Sequence, residues 1–384
     1  MKLFYNFLIL ISLAVNVSAT ELDISKMRDS KTIMDKVNKG FDVNAVRAED
    51  GYTLLHYAAE LGDAKLVKFL ISKGSEINPI MTRGNTPLST AIAFRKKEAV
   101  RALLEAGVDP NYILGQDDYK RSHFHFYINK ERKIDKALFD LFISKGANLE
   151  TRDFFDETPL ITAAGLEYSM TDNAKYLLKA GAEIQAENKH GKTALMTAVF
   201  SQNMELIKTL LKAGASVDQK AKDGNTALVG MIGMGQEREK EKIAIMKMLL
   251  EAGANINEPN KEGDTALHEC IKSSNWYVEM LKFLVSQNPD SSIKNAKGKT
   301  ALDQAIINEN MEATKILLKI EKDINRLDSY GSTMLHSAIL NEKYELVKIL
   351  LQAGADKAAK DKWGKSAVEF AERQGNQKMI QLLQ

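Results

Sequence analysis

Asp50-Gly51-Tyr52-Thr53-Leu54-Leu55-His56-Tyr57-Ala58-Ala59, closed by Gly62 and followed after a second apolar run by Gly74, is the stretch that decides the fold. Thr53 can accept a backbone N–H as an N-cap. Behind it Leu55, Ala58 and Ala59 fall at i, i+3 and i+4, and small residues at such positions let neighbouring helices approach closely. Gly62 ends that short helix. Leu66, Phe69 and Leu70 then form a second apolar stripe, closed by Gly74, which can take the left-handed conformation that terminates a helix. The spacing predicts a pair of short helices with an extended connector. Neither helix can bury its apolar face alone, so the pair needs copies of itself stacked on either side.

The copies are present. Thr86-Pro87-Leu88, Thr158-Pro159-Leu160, Thr193-Ala194-Leu195, Thr226-Ala227-Leu228, Thr265-Ala266-Leu267-His268, Thr300-Ala301-Leu302, Thr333-Met334-Leu335-His336 and Ser366-Ala367-Val368 repeat the helix start, with a degenerate unit at Ser122. Successive starts are 33, 36, 36, 35, 33, 39, 35, 33 and 33 residues apart, a modal period of 33. Gly107, Gly146, Gly181, Gly214, Gly253 and Gly354 stand where Gly74 does, replaced by Asn288 and Glu321 in two units. From this landmark to the next start is 12 residues in every unit except that before Ser122, where it is 15, so most length variation falls inside the helical part. Pro87 and Pro159 occupy the first helical position, where a missing N–H costs nothing.

At these residues the chain resembles the ankyrin repeat family, over about residues 47–384 and ten times in register. The resemblance implies an all-α ankyrin-repeat solenoid of about ten stacked helix-turn-helix units with projecting β-hairpin connectors, used to bind other proteins. Residues 20–46 are assigned to an N-terminal capping half-repeat, since Gly40, Phe41, Asp42, Val43 and Asn44 look like the end of one. Glu372, Arg373, Gln374, Gln377 and Lys378 give the last unit the polar outer face a C-terminal cap requires.

Residues 1–19 read as a secretory signal peptide: Lys2, an apolar run reaching Val15, then Val17 and Ala19 as the small residues before a cut. Asn6 interrupts the apolar run, leaving it well short of the roughly 20 residues a membrane-spanning helix needs. The expectation is a periplasmic or secreted protein without stable membrane insertion after cleavage. The 53 basic and 51 acidic side chains nearly cancel, to a net charge of +2, and the connector lysines alternate with acids and lack a stacking aromatic series. That argues against nucleic acid as a partner. A single cysteine, Cys270, can form neither an intramolecular disulfide nor a thiolate metal cluster.

Several constellations invite a chemical reading and lose it on spacing. His268 and Cys270 flank Glu269, yet His268 occupies the register of His56 and His336, where the family uses histidine to hold the turn, and Cys270 occupies that of Ala58. His123 and His125, in the same unit as Asp117 and Asp118, could coordinate a metal on extended backbone, but would diverge on a helix, and no third ligand has convincing spacing. Asp153, Asp156 and Glu157 fall in a connector where acidic turn residues are ordinary. Gly230, Gly233 and Gly235 have the wrong order for a dinucleotide loop and lie along a first repeat helix, with Gly235 in the register of the Gly62 turn. No catalytic residue, cofactor or metal is therefore assigned, and an enzyme is the least favoured class.

Ten aromatic residues fall within 112–168, in a chain that is 7% aromatic overall. Phe139 and Phe142 fit the second-helix stripe and read as core. Phe154 and Phe155, four and three residues before Thr158, lie in a connector; they either anchor a partner or pack locally under an enlarged loop. Together with Tyr112 and Tyr119 they are the candidate partner-binding residues. The function expected is an exported, non-catalytic scaffold recognising another protein, the alternative being a secreted effector or inhibitor acting on a host or competitor protein.

Overall fold

The structure, a computed structural model, describes residues 29–115, 120–131, 133–165, 171–233, 238–272, 278–328 and 330–384. The signal segment 1–19 and Tyr119 lie outside the described residues, as do Asp117, Asp118 and Gly235. The chain divides into two compact units, residues 1–189 and 190–384.

In the first unit α1 (Ser30–Asn38) precedes four helical pairs: α2 (Leu54–Leu61) with α3 (Ala64–Ser72), α4 (Pro87–Ala93) with α5 (Lys97–Glu105), α6 (His123–Lys130) with α7 (Lys136–Ser144), and α8 (Pro159–Gly165) with α9 (Thr171–Lys179). First helices stack on first helices, α2 on α4 on α6 on α8, and second on second, α1 on α3 on α5 on α7. In the second unit six pairs follow: α10 (Ala194–Phe200) with α11 (Met204–Lys212), α12 (Ala227–Ile232) with α13 (Glu239–Glu251), α14 (Ala266–Lys272) with α15 (Val278–Ser286), α16 (Ala301–Ile307) with α17 (Met311–Leu317), α18 (Met334–Leu340) with α19 (Tyr344–Gln352), and α20 (Ala367–Gln374) with α21 (Gln377–Leu383). Here α10, α12, α14 and α16 stack in sequence, and α18 stacks on α20.

Most of the first helices start on a capping hydroxyl. The hydroxyls of Thr53, Thr86, Thr193, Thr226, Thr300, Thr333 and Ser366 accept the backbone N–H three residues on, a cap whose loss costs about 1 kcal/mol. Ser122 caps α6 in the same way, so the degenerate unit starts like the others. Gly62 closes α2 at φ 81, but at the matching positions Arg95, Gln202, Glu309 and Glu342 take the same left-handed turn at φ 55, 56, 54 and 52. Leu55, Ala58, Ala59, Leu66 and Leu70 are completely buried. The last unit leaves Glu372, Arg373, Gln374, Gln377 and Lys378 exposed.

The connectors are short, tight hairpin turns. Among the described residues their pairing is limited to isolated antiparallel bridges, Val46 with Thr53, Ile113 with Ser122, Leu327 with Thr333 and Lys360 with Ser366. The inserted residues of the longer units fall largely outside the described residues, at 166–170, 234–237 and 273–277. Part of one insertion is visible as the second helix α13, 13 residues long where α3 has 9.

Candidate functional site

An Asx turn builds five of the fingertips between helical pairs. Asp153 Oδ1 accepts the backbone N–H groups of Phe155 and Glu157 at 2.8 and 2.9 Å, and Asp361 Oδ1 does the same for Trp363 and Lys365 at 2.9 and 2.8 Å. Asn260, Asn295 and Asp328 repeat the geometry. Neighbouring tips are then tied by single backbone bonds: Thr82 N–H to the Asp50 carbonyl at 2.8 Å, Lys189 to Phe155 at 3.1 Å, Lys222 to His190 at 2.8 Å and Ala296 to Glu262 at 2.8 Å. The tips are therefore held in place by each other, and side chains on them are presented from fixed backbone.

On this frame Phe154 and Phe155 stand 53% and 36% exposed, edge to face at 5.4 Å between ring centroids. The Lys189 ammonium lies 4.9 Å from the Phe154 centroid and 4.1 Å from that of Phe155. A cation over an exposed ring contributes about 0.5–1 kcal/mol. Arg152 clamps the same tip from below, its guanidinium donating to the Asp156 carbonyl at 2.9 Å and the Glu187 carbonyl at 2.5 Å. Phe154 is the more exposed of the two rings. Tyr112 is not brought into this pair: it is half-buried and stacks on His123 at 5.5 Å.

Much of the aromatic enrichment in this region is core. Phe124, Tyr127, Phe139 and Phe142 are buried against one another, with Tyr127 stacked on Phe142 at 4.7 Å and Phe124 5.9 and 5.6 Å from Phe139 and Phe142. Sequence reading overlooked Tyr330 and Trp363, which are 71% and 64% exposed. Their signal was available, since both stand three residues before a helix-starting Thr333 or Ser366, the register of Phe155 before Thr158.

The histidines are used in packing. His56 Nδ1 meets the Thr53 hydroxyl at 2.9 Å while its Nε2–H donates to the Asn85 carbonyl of the next unit at 3.1 Å. His268 and His336 bond Thr265 and Thr333 likewise, and donate to Lys299 and Lys365 carbonyls at 3.0 Å each. His123 and His125 point in opposite directions, to the Thr86 and Thr162 hydroxyls at 2.7 Å each. Burial pushes the Cys270 thiol up, away from its reactive form. Among the described residues no group of three or more His, Cys, Asp or Glu side chains is placed to hold a metal ion.

A family model for ankyrin repeats, in its three-copy form, matches residues 26–113, 125–221, 237–328, 274–361 and 321–384. The chain belongs to the ankyrin repeat family. Ankyrin repeats are a protein-interaction scaffold, and each stacked pair described above is one such repeat. The chain is 28% identical over 206 residues to a Neurogenic locus notch homolog protein 1 of Xenopus laevis, covering 50% of this chain and 8% of that protein. It is 31% identical over 173 residues to a Putative palmitoyltransferase ZDHHC13 of Danio rerio, covering 44% of this chain and 26% of the relative. It is 29% identical over 150 residues to an E3 ubiquitin-protein ligase KEG of Arabidopsis thaliana, covering 38% and 9%. The match thus spans a minor part of each relative, and it supports no catalytic assignment. Among the described residues no helix is long and apolar enough to cross a membrane.

Proposed function

We propose that this ankyrin repeat protein is exported and non-catalytic, and that it recognises a partner protein with the fingertip carrying Phe154 and Phe155. The observation that supports this reading is the pair itself. Two adjacent phenyl rings are held in water by an Asx turn, an arginine clamp and a neighbouring tip, and large aromatic side chains presented from fixed backbone are the usual anchors of protein interfaces. The segment Met1–Ala19 is the feature that favours export, with the mature chain starting at Thr20 in the periplasm or outside the cell.

The test is a cross-linking pull-down with the exported chain and with its Phe154→Asp/Phe155→Asp variant. Each ring buried by a partner contributes roughly 1–3 kcal/mol, so the double variant weakens capture at least about tenfold. Its thermal unfolding midpoint falls little, because what the rings give the fold is mainly the Lys189 contact, about 0.5–1 kcal/mol at an exposed site. Retained capture with a lowered midpoint overturns the interface. Intact mass of the exported protein checks the processing, and a species retaining Met1–Ala19 in a membrane fraction overturns the assignment to a free exported protein.

A further inference from the structure

In the second unit the first helices α16 and α18 border a groove of about 580 Å³, whose lining includes Ile307, Leu327 and Met334. A second depression of about 470 Å³ adjoins it, lined by Asp264, Lys272, Gln304 and Asn308 among others. The two share Ile307 and Lys299. Ile307, at the last position of α16, is 61% exposed, and Leu327 beside it is 45% exposed. Ile307 lines both depressions, an exposed apolar ridge between them, and Leu327 lines the first.

The charges along the furrow are unequally matched. Its carboxylates are engaged: Asp303 pairs with Arg326 at 2.6 Å, Glu309 with Lys343 at 2.6 Å, and Glu262 with Lys272 at 2.8 Å, the same lysine that Asp264 contacts. Asp328 accepts the Tyr330 and Ser332 N–H groups at 2.8 and 3.0 Å. The ammonium groups of Lys261, Lys294, Lys297 and Lys299 meet no carboxylate among the described residues. Over the whole furrow seven basic side chains face five acidic ones, an excess of two positive charges that lies on the lysines around the exposed isoleucine.

We propose that this furrow binds an extended peptide segment of a partner protein, one large apolar side chain resting on Ile307 and Leu327 and flanking Asp or Glu residues meeting Lys294, Lys297 and Lys299. Acidic residues complement the unmatched ammonium groups, and an apolar residue covers the ridge between them. The inference shares with the proposed function the premise that the chain binds protein; it uses neither Phe154 nor Phe155.

Display of random short peptides against the full chain tests it, with the enriched sequences resynthesised and their affinity read by fluorescence anisotropy. Enriched peptides are acidic with one large apolar residue, and their binding weakens as salt is raised, because exposed charges are screened over about 8–10 Å at ordinary ionic strength. Ile307→Asp and, separately, Lys294→Glu/Lys299→Glu each weaken them at least about tenfold, while Phe154→Asp/Phe155→Asp leaves them unchanged. All of these side chains lie outside the buried core, and the lysine variant keeps the test open if Ile307→Asp disturbs the fold. Enrichment of basic peptides, binding indifferent to both furrow variants, no enrichment, or a dimer of the chain broken by Ile307→Asp overturns the proposal. Peptides lost only in the Phe154→Asp/Phe155→Asp variant overturn it while leaving the fingertip reading intact.

Discussion

A β-carbon placed on Gly191 would stand 2.8 Å from the backbone nitrogen of Lys222, the nitrogen that donates to the His190 carbonyl of the same fingertip. The glycine is thus required twice, by a φ of +72° and by the approach of the next tip. Gly214 has φ +89° but nothing within 4 Å of its would-be β-carbon. Gly191→Ala is expected to destabilise the chain by about 2 kcal/mol or more and Gly214→Ala by about 1, measured by urea unfolding. Equal losses would show that tip-to-tip contact contributes nothing.

Burial holds His56 and His123 at about 4, well below the ordinary histidine value. Their native form is neutral, since His56 Nδ1 accepts from Thr53 while its Nε2–H donates to Asn85. The unfolded chain takes up protons first as pH falls. Stability from these groups is complete above about pH 6.5 and is lost progressively towards pH 4, by up to about 3 kcal/mol for each histidine. The urea midpoint should therefore fall between pH 7 and 4.5, and His56→Gln should flatten that slope. A midpoint independent of pH across this window would show that the histidines are not held neutral.

Cys270 is 4% exposed in α14, in the register of Ala58. Burial raises its thiol further from ionisation, so the native protein should resist alkylation by a water-soluble maleimide until it is unfolded. Cys270→Ala should cost about 1 kcal/mol or less, the loss of one small buried group. Rapid native-state labelling would place the thiol at the surface and overturn the packing role.

The ankyrin architecture was legible because its signals are local and repeated: a capping hydroxyl, a small-residue face and a left-handed closing turn recur at fixed offsets. The Ser122 unit, degenerate in sequence, still folds as a pair because Ser122 caps and Phe124, Tyr127 and Phe142 fill the core that smaller residues fill elsewhere. What lay out of reach was the outcome of contacts between units. How far Phe154 and Phe155 are exposed depends on the neighbouring tip that carries Lys189 and on the carbonyl of Glu187 that Arg152 reaches. The furrow at Ile307 was missed for the same reason: its isoleucine, lysines and paired carboxylates come from successive repeats, and which charges neutralise one another is a property of the stack.

Gln202 shows where the chain departs from its own best solution. It closes α10 at φ 56, the position Gly62 fills in the first repeat, and its buried Oε1 has no hydrogen-bond partner among the described residues. A left-handed backbone costs a non-glycine residue about 1–2 kcal/mol, and an unsatisfied buried acceptor costs about 1–3 kcal/mol when water cannot reach it. Glycine at this site removes both, against about 0.5–1 kcal/mol for its greater freedom in the unfolded chain. Gln202→Gly is therefore expected to stabilise the protein by about 1 kcal/mol or more. Glu309→Gly, at the matching turn, also relieves the backbone but gives up the ion pair with Lys343, an exposed pair of little value. Urea unfolding of both variants decides the balance: a larger gain for Gln202→Gly assigns the difference to the orphaned amide oxygen, whereas a loss in both would mean that this turn tolerates side chains without strain.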